Sequence, residues 1–367
     1  MEYKDFLEQV KEQILDFLPE KFADATVEIN QSLKNNDCVL DGLFINTEES
    51  NVVSMVYLNS YFEQIQQGAK MEEVLSQIAD TYQVHYSEHD MDISKVMDFD
   101  SVKDRIICKL INEEANKEFL QDKPYTKVED LAAVYQILVD KNAEGTATIT
   151  ITDDLMDRYG ITLEELHDQA MQNMEVLQPY SFKGLNENVI DLLTEDIVRE
   201  EGMELNQARE KAEQIMSDIP EVMFVLSNDA GMYGAAAILN DSIRQEIVEK
   251  VGDFYVLPSS IHETLIVPKD TGMELNELEQ MVQEVNYTQV APEERLSDHI
   301  YEYDAGEHEL FRSDRAEDRA KQKDEKREGR QERISVKDKL AEKKHAVSKM
   351  NAERECPKSD KKKEPEL

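Results

Sequence analysis

The 367-residue sequence has three cysteines and no tryptophan, and it lacks any run of about 18 uninterrupted apolar residues, the minimum for a membrane-spanning helix. Cys38, Cys108 and Cys356 are odd in number and form no CxxC pair, which disfavours a disulfide framework and is typical of reduced thiols. The first residues, MEYKDFLEQVKEQILDFLPEKF, lack a basic segment followed by an apolar one, which disfavours a secretory signal. These absences predict a cytoplasmic protein that does not cross a membrane.

Positive charge is scarce outside the C-terminal segment. The chain has 41 Lys and Arg against 80 Asp and Glu, for a net charge of −39. Residues 312–367 hold 19 of the cations and 14 of the acids, so residues 1–311 hold 22 and 66 and carry −44. Such a body repels phosphate backbones, so we expect no direct nucleic-acid binding by it. The simplest role of this charge is solubility; an alternative is an acidic decoy for a DNA-binding protein, which requires two parallel rows of exposed carboxylates.

The hydrophobic pattern changes repeatedly between a helical period and strict alternation. Phe6, Val10 and Ile14 have helical spacing before Pro19, and residues 26–45 alternate on both sides of the polar turn KNND, as in a β-hairpin. Short strands and helices then follow without regular βαβ alternation. The predicted class is therefore α+β, with mixed short antiparallel strands and helices in one or two packed units and a charged C-terminal tail.

Three segments are predicted. Residues 1–92 form an N-terminal α+β unit of a helix, three strands and two helices, and residues 93–311 form the main α+β unit. The boundary is set in the acidic, weakly periodic stretch 85–100. Residues 312–367 form a charged tail, either flexible with transient helix or a coiled-coil or docking helix.

The tail carries a thin apolar stripe in the basic segment ISVKDKLAEKKHAVSKM. The stripe consists of Val336, Leu340, Val347 and Met350. Like charges at i,i+4, such as Lys339 and Lys343, weaken an isolated helix there. We therefore expect the stripe to contact a protein partner or the acidic body.

The stretch MFVLSNDAGMYGAAAIL places two glycines between apolar runs. Gly231 and Gly234 form GxxG, which is neither the GxxxxGK[ST] of a P-loop nor the GxGxxG of a dinucleotide site, so no cofactor is predicted. The interpretation is a hairpin that turns over the glycines. Gly234 and the three alanines after it should let another element approach closely.

The same region supplies the residue types for nucleophilic catalysis. Ser227, Ser259 and His262 are the candidate catalytic residues, with Ser260 and Asp229 nearby. No GxSxG elbow is present, and a triad is defined by geometry rather than by sequence order. The alternative is that these polar groups turn the backbone, and that is the interpretation favoured here.

A metal site is considered at His85 and His89, which would share a helix face at i,i+4 beside Glu88, Asp90 and Asp92. The segment HYSEH does not have the HExxH pattern, and histidines in acidic linkers are commonly solvated. No metal is therefore predicted.

Several segments resemble one known family. RIICKLINEEANKEFL, ITDDLMDRYGITLEELHDQAMQN, MFVLSNDAGMYGAAAIL and GDFYVLPSSIHETLIVP look like the DUF5688 type, a domain-of-unknown-function family of gut Firmicutes, over residues 1–311. The resemblance implies no reaction, cofactor or catalytic residue. The tail segment ISVKDKLAEKK is similar to tails of accessory proteins of mobile genetic elements, which implies an association with such elements.

The leading hypothesis is a cytoplasmic accessory or protein-interaction protein whose tail contacts a partner. The alternative from another class is an enzyme of unknown reaction that uses polar residues of the 227–262 region. The two differ in geometry: an enzyme should gather Ser227, Ser259 and His262 in a concave pocket, whereas an interaction protein should use them in turns.

Overall fold

The computed structural model describes residues 1–47, 54–86, 93–142, 145–321, 323 and 343–344. Its contacts divide the chain into a first unit, Met1–Ser313, and a second, Asp314–Leu367. In the described part of the chain, no helix is both long and apolar enough to cross a bilayer.

The first unit combines helices with antiparallel sheets, so the predicted α+β class is confirmed. The helices are α1 (Tyr3–Gln13), α2 (Asn59–Gln66), α3 (Met71–His85), α4 (Ile93–Val96), α5 (Phe99–Val102), α6 (Asp153–Tyr159), α7 (Leu163–Leu177), α8 (Leu185–Glu201), α9 (Leu205–Met216), α10 (Asp241–Val251) and α11 (Leu275–Thr288). The strands are β1 (Thr26–Leu33), β2 (Val39–Asn46), β3 (Met55–Tyr57), β4 (Ile106–Asn112), β5 (Tyr125–Val128), β6 (Leu131–Asn142), β7 (Gly145–Thr150), β8 (Tyr180–Gly184), β9 (Phe224–Asn228), β10 (Phe254–Leu257), β11 (Thr264–Pro268), β12 (Tyr301–Asp304) and β13 (Glu309–Arg312).

The N-terminal part packs α1 and α3 on the three-stranded sheet β1-β2-β3. Phe6, Val10 and Ile14 are fully buried, as their helical spacing predicts, and the helical turns end before Pro19. β1 and β2 pair antiparallel from Thr26↔Asn46 to Leu33↔Val39, so the predicted hairpin over KNND is confirmed. These residues form a core of their own.

Residues 34–38, the hairpin tip, lie against the segments around residues 116 and 292. The Asn36 side-chain amide donates to the carbonyls of Pro292 and Arg295 at 2.7 and 2.8 Å. Asn36 also exchanges two hydrogen bonds with Asn116, and the Asp37 carboxylate accepts the Phe119 N–H at 3.0 Å. The tip therefore fixes the first sheet onto the rest of the unit.

The four-stranded sheet is centred on β6, which pairs with β4 on one side and with β5 and β7 on the other. α7 packs on it through Leu166, Ala170 and Met174. Thr162 is of a residue type that predicts a helix N-cap, and its capping box with Glu165 at the start of α7 confirms this.

The six-stranded sheet has the order β13-β12-β10-β11-β9-β8. Its strands bury both faces: Val256 and Ile266 face the core shared with the four-stranded sheet, whereas Leu257 and Val267 face α11. The apolar runs FYVLP and TLIVP predict two strands around SSIHE, and the structure confirms them as the antiparallel pair β10 and β11. The loop between them carries Ser259 and His262.

The hairpin predicted for the glycine stretch is wrong in its second half. MFVLSN contains β9, but Gly234–Leu239 forms a 3-10 helix, and β9 pairs with β8 and β11 instead. The physical reason is size, because glycine and three alanines fit in the narrow space between β4 and β9, where all six residues are buried. The predicted close approach of another element is confirmed.

Residues 185–222 form a helical hairpin between two neighbouring strands of the six-stranded sheet. α8 follows β8 directly, Gly202 ends α8 with a φ of +66°, and α9 leads back to β9. Helices broken near Gly202 are what the sequence predicts over residues 186–217. The helical hairpin therefore stands at one end of edge strand β8.

The second unit is described only at residues 314–321, 323 and 343–344. An ion pair of 3.5 Å joins Lys321 and Asp318 there. The predicted partner-binding stripe, Val336, Leu340, Val347 and Met350, lies outside the described residues, as does Cys356.

Candidate functional site

The loop after β9 is organised by Asn228. This buried side chain accepts hydrogen bonds from the N–H groups of Ala230 and Met232 at 3.1 and 3.3 Å, and its amide donates to the Met232 carbonyl at 2.8 Å. Gly231 takes the left-handed conformation, with a φ of +63°. An asparagine that bonds its own loop in this way is a turn residue.

Tyr233 follows in a strained conformation. Its φ is +57°, which is uncommon for a bulky aromatic residue, and strain of this kind costs about 1–3 kcal/mol. Its N–H donates to Nδ1 of His262 at 3.3 Å, and the two rings stack with centroids 5.9 Å apart. The strain therefore places the phenol ring flat against the imidazole.

The candidate serines form hydrogen bonds with main-chain groups in this arrangement. The Ser227 hydroxyl donates to the main-chain carbonyl of His262 at 2.8 Å. The Ser260 hydroxyl accepts the N–H groups of His262 and Glu263 at 3.1 and 3.2 Å, and buried Ser259 donates its N–H to the Leu257 carbonyl at 3.1 Å. Within the described residues, no serine hydroxyl is hydrogen-bonded to the His262 imidazole.

The His262 ring has one tautomer that satisfies its contacts. Because Nδ1 accepts the Tyr233 N–H, the neutral ring carries its proton on Nε2. Nε2 lies 3.4 Å from Oε1 of Glu294, on the segment that also pairs with Ser260 through Arg295. A proton donor is therefore held between a strained tyrosine and a carboxylate, and no serine hydroxyl in the described part of the chain is hydrogen-bonded to its ring.

A small pocket adjoins this loop. It is lined by Met174, Gln178, Asn228, Tyr233 and Gly234 with Ala236 and Ala237, and its empty volume is about 140 Å³. Pockets for organic ligands usually have about 300–1,000 Å³. This place therefore offers no preformed room for an organic substrate.

The candidate metal residues do not form a described site. His85 is exposed at the last position of α3, where its carbonyl accepts the Ser54 hydroxyl at 2.5 Å, and His89 lies outside the described residues. Among the residues that have been placed, no group of three or more His, Cys, Asp or Glu side chains could hold a metal ion.

The helical hairpin carries a second candidate surface, which the sequence analysis missed. Leu205, Ala208, Ala212 and Ile215 have 3-4-3 spacing along α9, and we call them the seam. Ala208 and Ala212 are buried against α8, yet Leu205 is 64% exposed and Ile215 is 54% exposed. The seam is thus covered only in its middle.

Other exposed apolar side chains lie close by along the chain. Twelve large hydrophobic side chains are exposed in the described residues, and five of them belong to residues 185–222: Leu192, Leu205, Ile215, Ile219 and Val222. Scattered exposed apolar residues are normal, whereas a concentration in one element marks an interaction surface. The signal present in the sequence was the seam spacing, which predicts an apolar stripe but not how much of it a neighbouring helix covers.

The helical hairpin is also acidic. Residues 185–222 contain 11 Asp and Glu but only three cations, Arg199, Arg209 and Lys211. Arg209 pairs with Asp191 at 2.7 Å, Lys211 pairs with Glu201 at 2.7 Å, and Arg199 pairs with Asp196. All three cations are thus neutralised within the hairpin itself.

Glu221 fixes the base of the helical hairpin. Its carboxylate accepts the Asn186 N–H at 3.2 Å, and the Asn186 side chain donates to the Ile219 carbonyl at 2.9 Å. The Leu185 N–H donates to the Met223 carbonyl at 2.8 Å. These hydrogen bonds therefore fix the base of the helical hairpin that carries the seam.

Comparison with known proteins adds one match. A family model described as a family of unknown function (DUF5688) matches residues 3–305. No curated protein and no solved structure matches the chain.

Proposed function

This chain belongs to the DUF5688 family, a family of unknown function, and we propose that it is a protein-interaction protein that holds a basic amphipathic helix of a partner on the seam of its helical hairpin. The observation that carries the proposal is the exposure of Leu205 and Ile215 at the two ends of a stripe whose middle is buried. A partner helix packed beside α8 would contact both exposed ends while α8 continues to cover Ala208 and Ala212.

The spacing of the seam determines the type of partner. Stripes at 3-4-3 spacing pack against helices whose own apolar residues repeat every three and four positions. Burying one leucine or isoleucine side chain contributes about 1.5–3 kcal/mol, so two of them supply a sizeable part of a micromolar affinity.

The negative charge of the helical hairpin determines the sign of the charge expected on the partner helix. Its 11 acids exceed its three cations by eight, and those cations are already paired with Asp191, Asp196 and Glu201. An acidic rim around an apolar stripe favours a helix with lysine or arginine beside its apolar face and raises the association rate.

The proposal also covers the cellular location of the protein, the role of its tail and its genetic association. Its thiols support a cytoplasmic location, because Cys38 and Cys108 are free. The stripe of Val336, Leu340, Val347 and Met350 in the tail would add a second contact to a partner. The similarity of the tail to accessory proteins supports an association with mobile genetic elements.

The test uses a synthetic helix as the probe. A peptide with leucine and lysine at 3-4 spacing over about three heptads is titrated against the full-length chain and followed by fluorescence anisotropy. Leu205→Lys with Ile215→Lys should weaken binding about tenfold or more, a change of about 1.4 kcal/mol. A scrambled peptide of the same composition should bind more weakly to the unaltered chain.

The matched control places the same two charges elsewhere. Val176 and Tyr287 are 80% and 82% exposed and lie outside the helical hairpin, so Val176→Lys with Tyr287→Lys should change the affinity by less than about twofold. Equal losses in the two double variants, or equal binding of the scrambled peptide, would contradict the proposal.

A further inference from the structure

A lysine–tyrosine cluster lies where the hairpin tip and β3 meet β4 and the loop before Gly234. Its members are Lys34, Tyr57, Lys109 and Tyr233. The Lys34 ammonium lies 4.4 Å from the centre of the Tyr57 ring, and the Lys109 ammonium lies 4.9 Å from the centre of the Tyr233 ring. Two of these residues precede residue 60 and two follow residue 100, so the cluster joins distant parts of the chain.

The two lysines are close enough to repel each other. Burial first and the neighbouring Lys34 charge second lower the pKa of Lys109 to about 8. Burial first and Tyr57 second raise the pKa of Tyr233, which places the two phenols near each other as well. The two lysine–tyrosine contacts are therefore electrostatically coupled to each other.

Neither lysine of the cluster has a carboxylate partner within the described residues. Among the described residues, neither Lys34 nor Lys109 takes part in a salt bridge, although residues 1–311 carry 66 acids. The Glu294 carboxylate lies 3.4 Å from Nε2 of His262, whose ring stacks against Tyr233. Contact with two aromatic faces offsets only part of the cost of holding two like charges together.

The cluster also contains an unused hydrogen-bonding group. The Tyr57 hydroxyl is buried and has no hydrogen-bond partner in the described structure. A buried hydroxyl without a partner costs about 1–3 kcal/mol, so such groups call for an explanation. It belongs to the ring over which the Lys34 ammonium lies.

We propose that the lysine–tyrosine cluster binds a phosphate group, either as free phosphate or as a small phosphate monoester. Two ammonium groups match the charge of about −1.5 to −2 that a phosphate monoester carries at pH 7, whereas a single carboxylate would leave one of them unbalanced. The Tyr57 hydroxyl supplies a third donor. A bound anion removes the repulsion between Lys34 and Lys109 and joins the hairpin tip to β4.

The test measures thermal unfolding of the full-length protein with inorganic phosphate, with a nucleoside monophosphate and with sodium chloride at equal ionic strength. Either phosphate source should raise the Tm by at least about 2 °C more than chloride does, because a ligand that binds only the folded state stabilises it. The two phosphate arms separate free phosphate from a monoester.

Variants locate the effect. Lys34→Met and Lys109→Met keep the apolar stems and should each abolish the phosphate-specific rise. Lys250→Met is the matched control, since the Lys250 ammonium also lies over a ring, 5.6 Å from the centre of Phe182, without a second lysine; it should keep the full rise. Should Lys109→Met fail to fold, Lys34→Met and the phosphate-induced shift of the lysine ammonium NMR signals in the unaltered chain still test the site.

The proposal is overturned if phosphate and chloride raise the Tm equally at matched ionic strength, because that result reports screening of the acidic body alone. It is also overturned if Lys34→Met retains the phosphate-specific rise that Lys250→Met shows.

Discussion

Gly234 is the position where a single methyl group would collide with the backbone. A Cβ there would lie 2.5 Å from the His262 carbonyl oxygen and 2.7 Å from the Asn228 nitrogen, and it would also meet the Ser227 hydroxyl. Since two of these atoms belong to the main chain, they cannot rotate away. We expect Gly234→Ala to lower the free energy of unfolding by about 3 kcal/mol, the upper end of overpacking costs.

Urea unfolding measures this loss, and Gly42→Ala is its control. At Gly42 the added carbon would meet the thioether of Met55, a flexible side chain, at 2.5 Å. We expect a loss of about 1 kcal/mol or less there, because the thioether adapts. Equal losses at both glycines would show that the 3-10 helix is not packed as tightly as described.

His167 makes the stability of the folded chain depend on pH. Its Nδ1 lies 2.9 Å from the Tyr135 hydroxyl, and burial lowers its pKa, opposed in part by Asp168. An unfolded histidine has a pKa of about 6.5, so below that pH the unfolded chain takes up a proton that the folded chain resists. This contribution to stability is complete above the unfolded pKa and is lost as the pH falls toward the lower, folded value.

We therefore expect His167→Gln to reduce the stability loss between about pH 7.5 and pH 5.5, as measured by urea unfolding at each pH. His85→Gln changes an exposed histidine at the end of α3 and should leave the loss as it is in the unaltered chain. A pH profile that is unchanged in His167→Gln would contradict the assignment.

At the scale of the element, the hairpin tip depends on Asp37. Its carboxylate accepts the N–H groups of Glu118 and Phe119, both at 3.0 Å, at the start of a 3-10 helix. Because such caps leave two donors unsatisfied when removed, we expect Asp37→Ala to lower the free energy of unfolding by about 2 kcal/mol. Gln31→Ala, at an exposed position of β1, should change it by less than about 0.5 kcal/mol. Similar losses in both variants would contradict the role of the tip.

Substitutions along the seam should distinguish residues that stabilise the fold from residues that are available for binding. Leu205 and Ile215 are exposed, so Leu205→Lys and Ile215→Lys should change the free energy of unfolding by no more than about 0.5 kcal/mol. Ala212 is fully buried on the same stripe, and Ala212→Lys should cost about 3 kcal/mol or more, because it places an unpaired charge in the contact with α8. Chemical unfolding of the three variants checks this, and a large loss at Leu205 would show that it belongs to the core.

Local sequence patterns predicted the helices and strands better than they predicted the tertiary contacts between them. Alternation about KNND indicated the β1–β2 hairpin, and the residue type of Thr162 indicated the start of α7, because each signal lies within a few residues. GAAAIL was assigned wrongly, since alanine and isoleucine fit a buried strand and a buried 3-10 helix equally well, and the choice depends on the space between β4 and β9. Either Asn59 or Ser60 is of a residue type that predicts the cap of α2, but the Asn59 side chain instead accepts the Asp41 N–H at 2.9 Å.

For the candidate sites too, the sequence indicates the residues but not the contacts between them. Residue types and spacing pointed to Ser227, Ser259 and His262, but the backbone carbonyl that Ser227 contacts is set by the pairing of β9 with β11. The lysine–tyrosine cluster brings together residues up to 199 positions apart, Lys34 and Tyr233, which no local pattern indicates. Likewise, the seam spacing does not reveal how much of the stripe stays exposed.

The whole molecule is an acidic body with an apolar seam on one of its helical hairpins. The charge of −44 over residues 1–311 repels similarly charged bodies, and the proposed function uses it to attract a basic partner. The proposed function therefore combines a general attraction with a short apolar contact that supplies specificity.

Photo-crosslinking in the native host cells tests that account most directly. A photoreactive residue is placed at position 205 or 215 of the full-length chain, and at the exposed positions 176 and 287 as controls. The account predicts adducts at 205 and 215 that map to one segment of a partner with Lys or Arg beside apolar residues at 3-4 spacing. Adducts equally abundant from all four positions, or a crosslinked segment that is acidic or lacks that spacing, would contradict it.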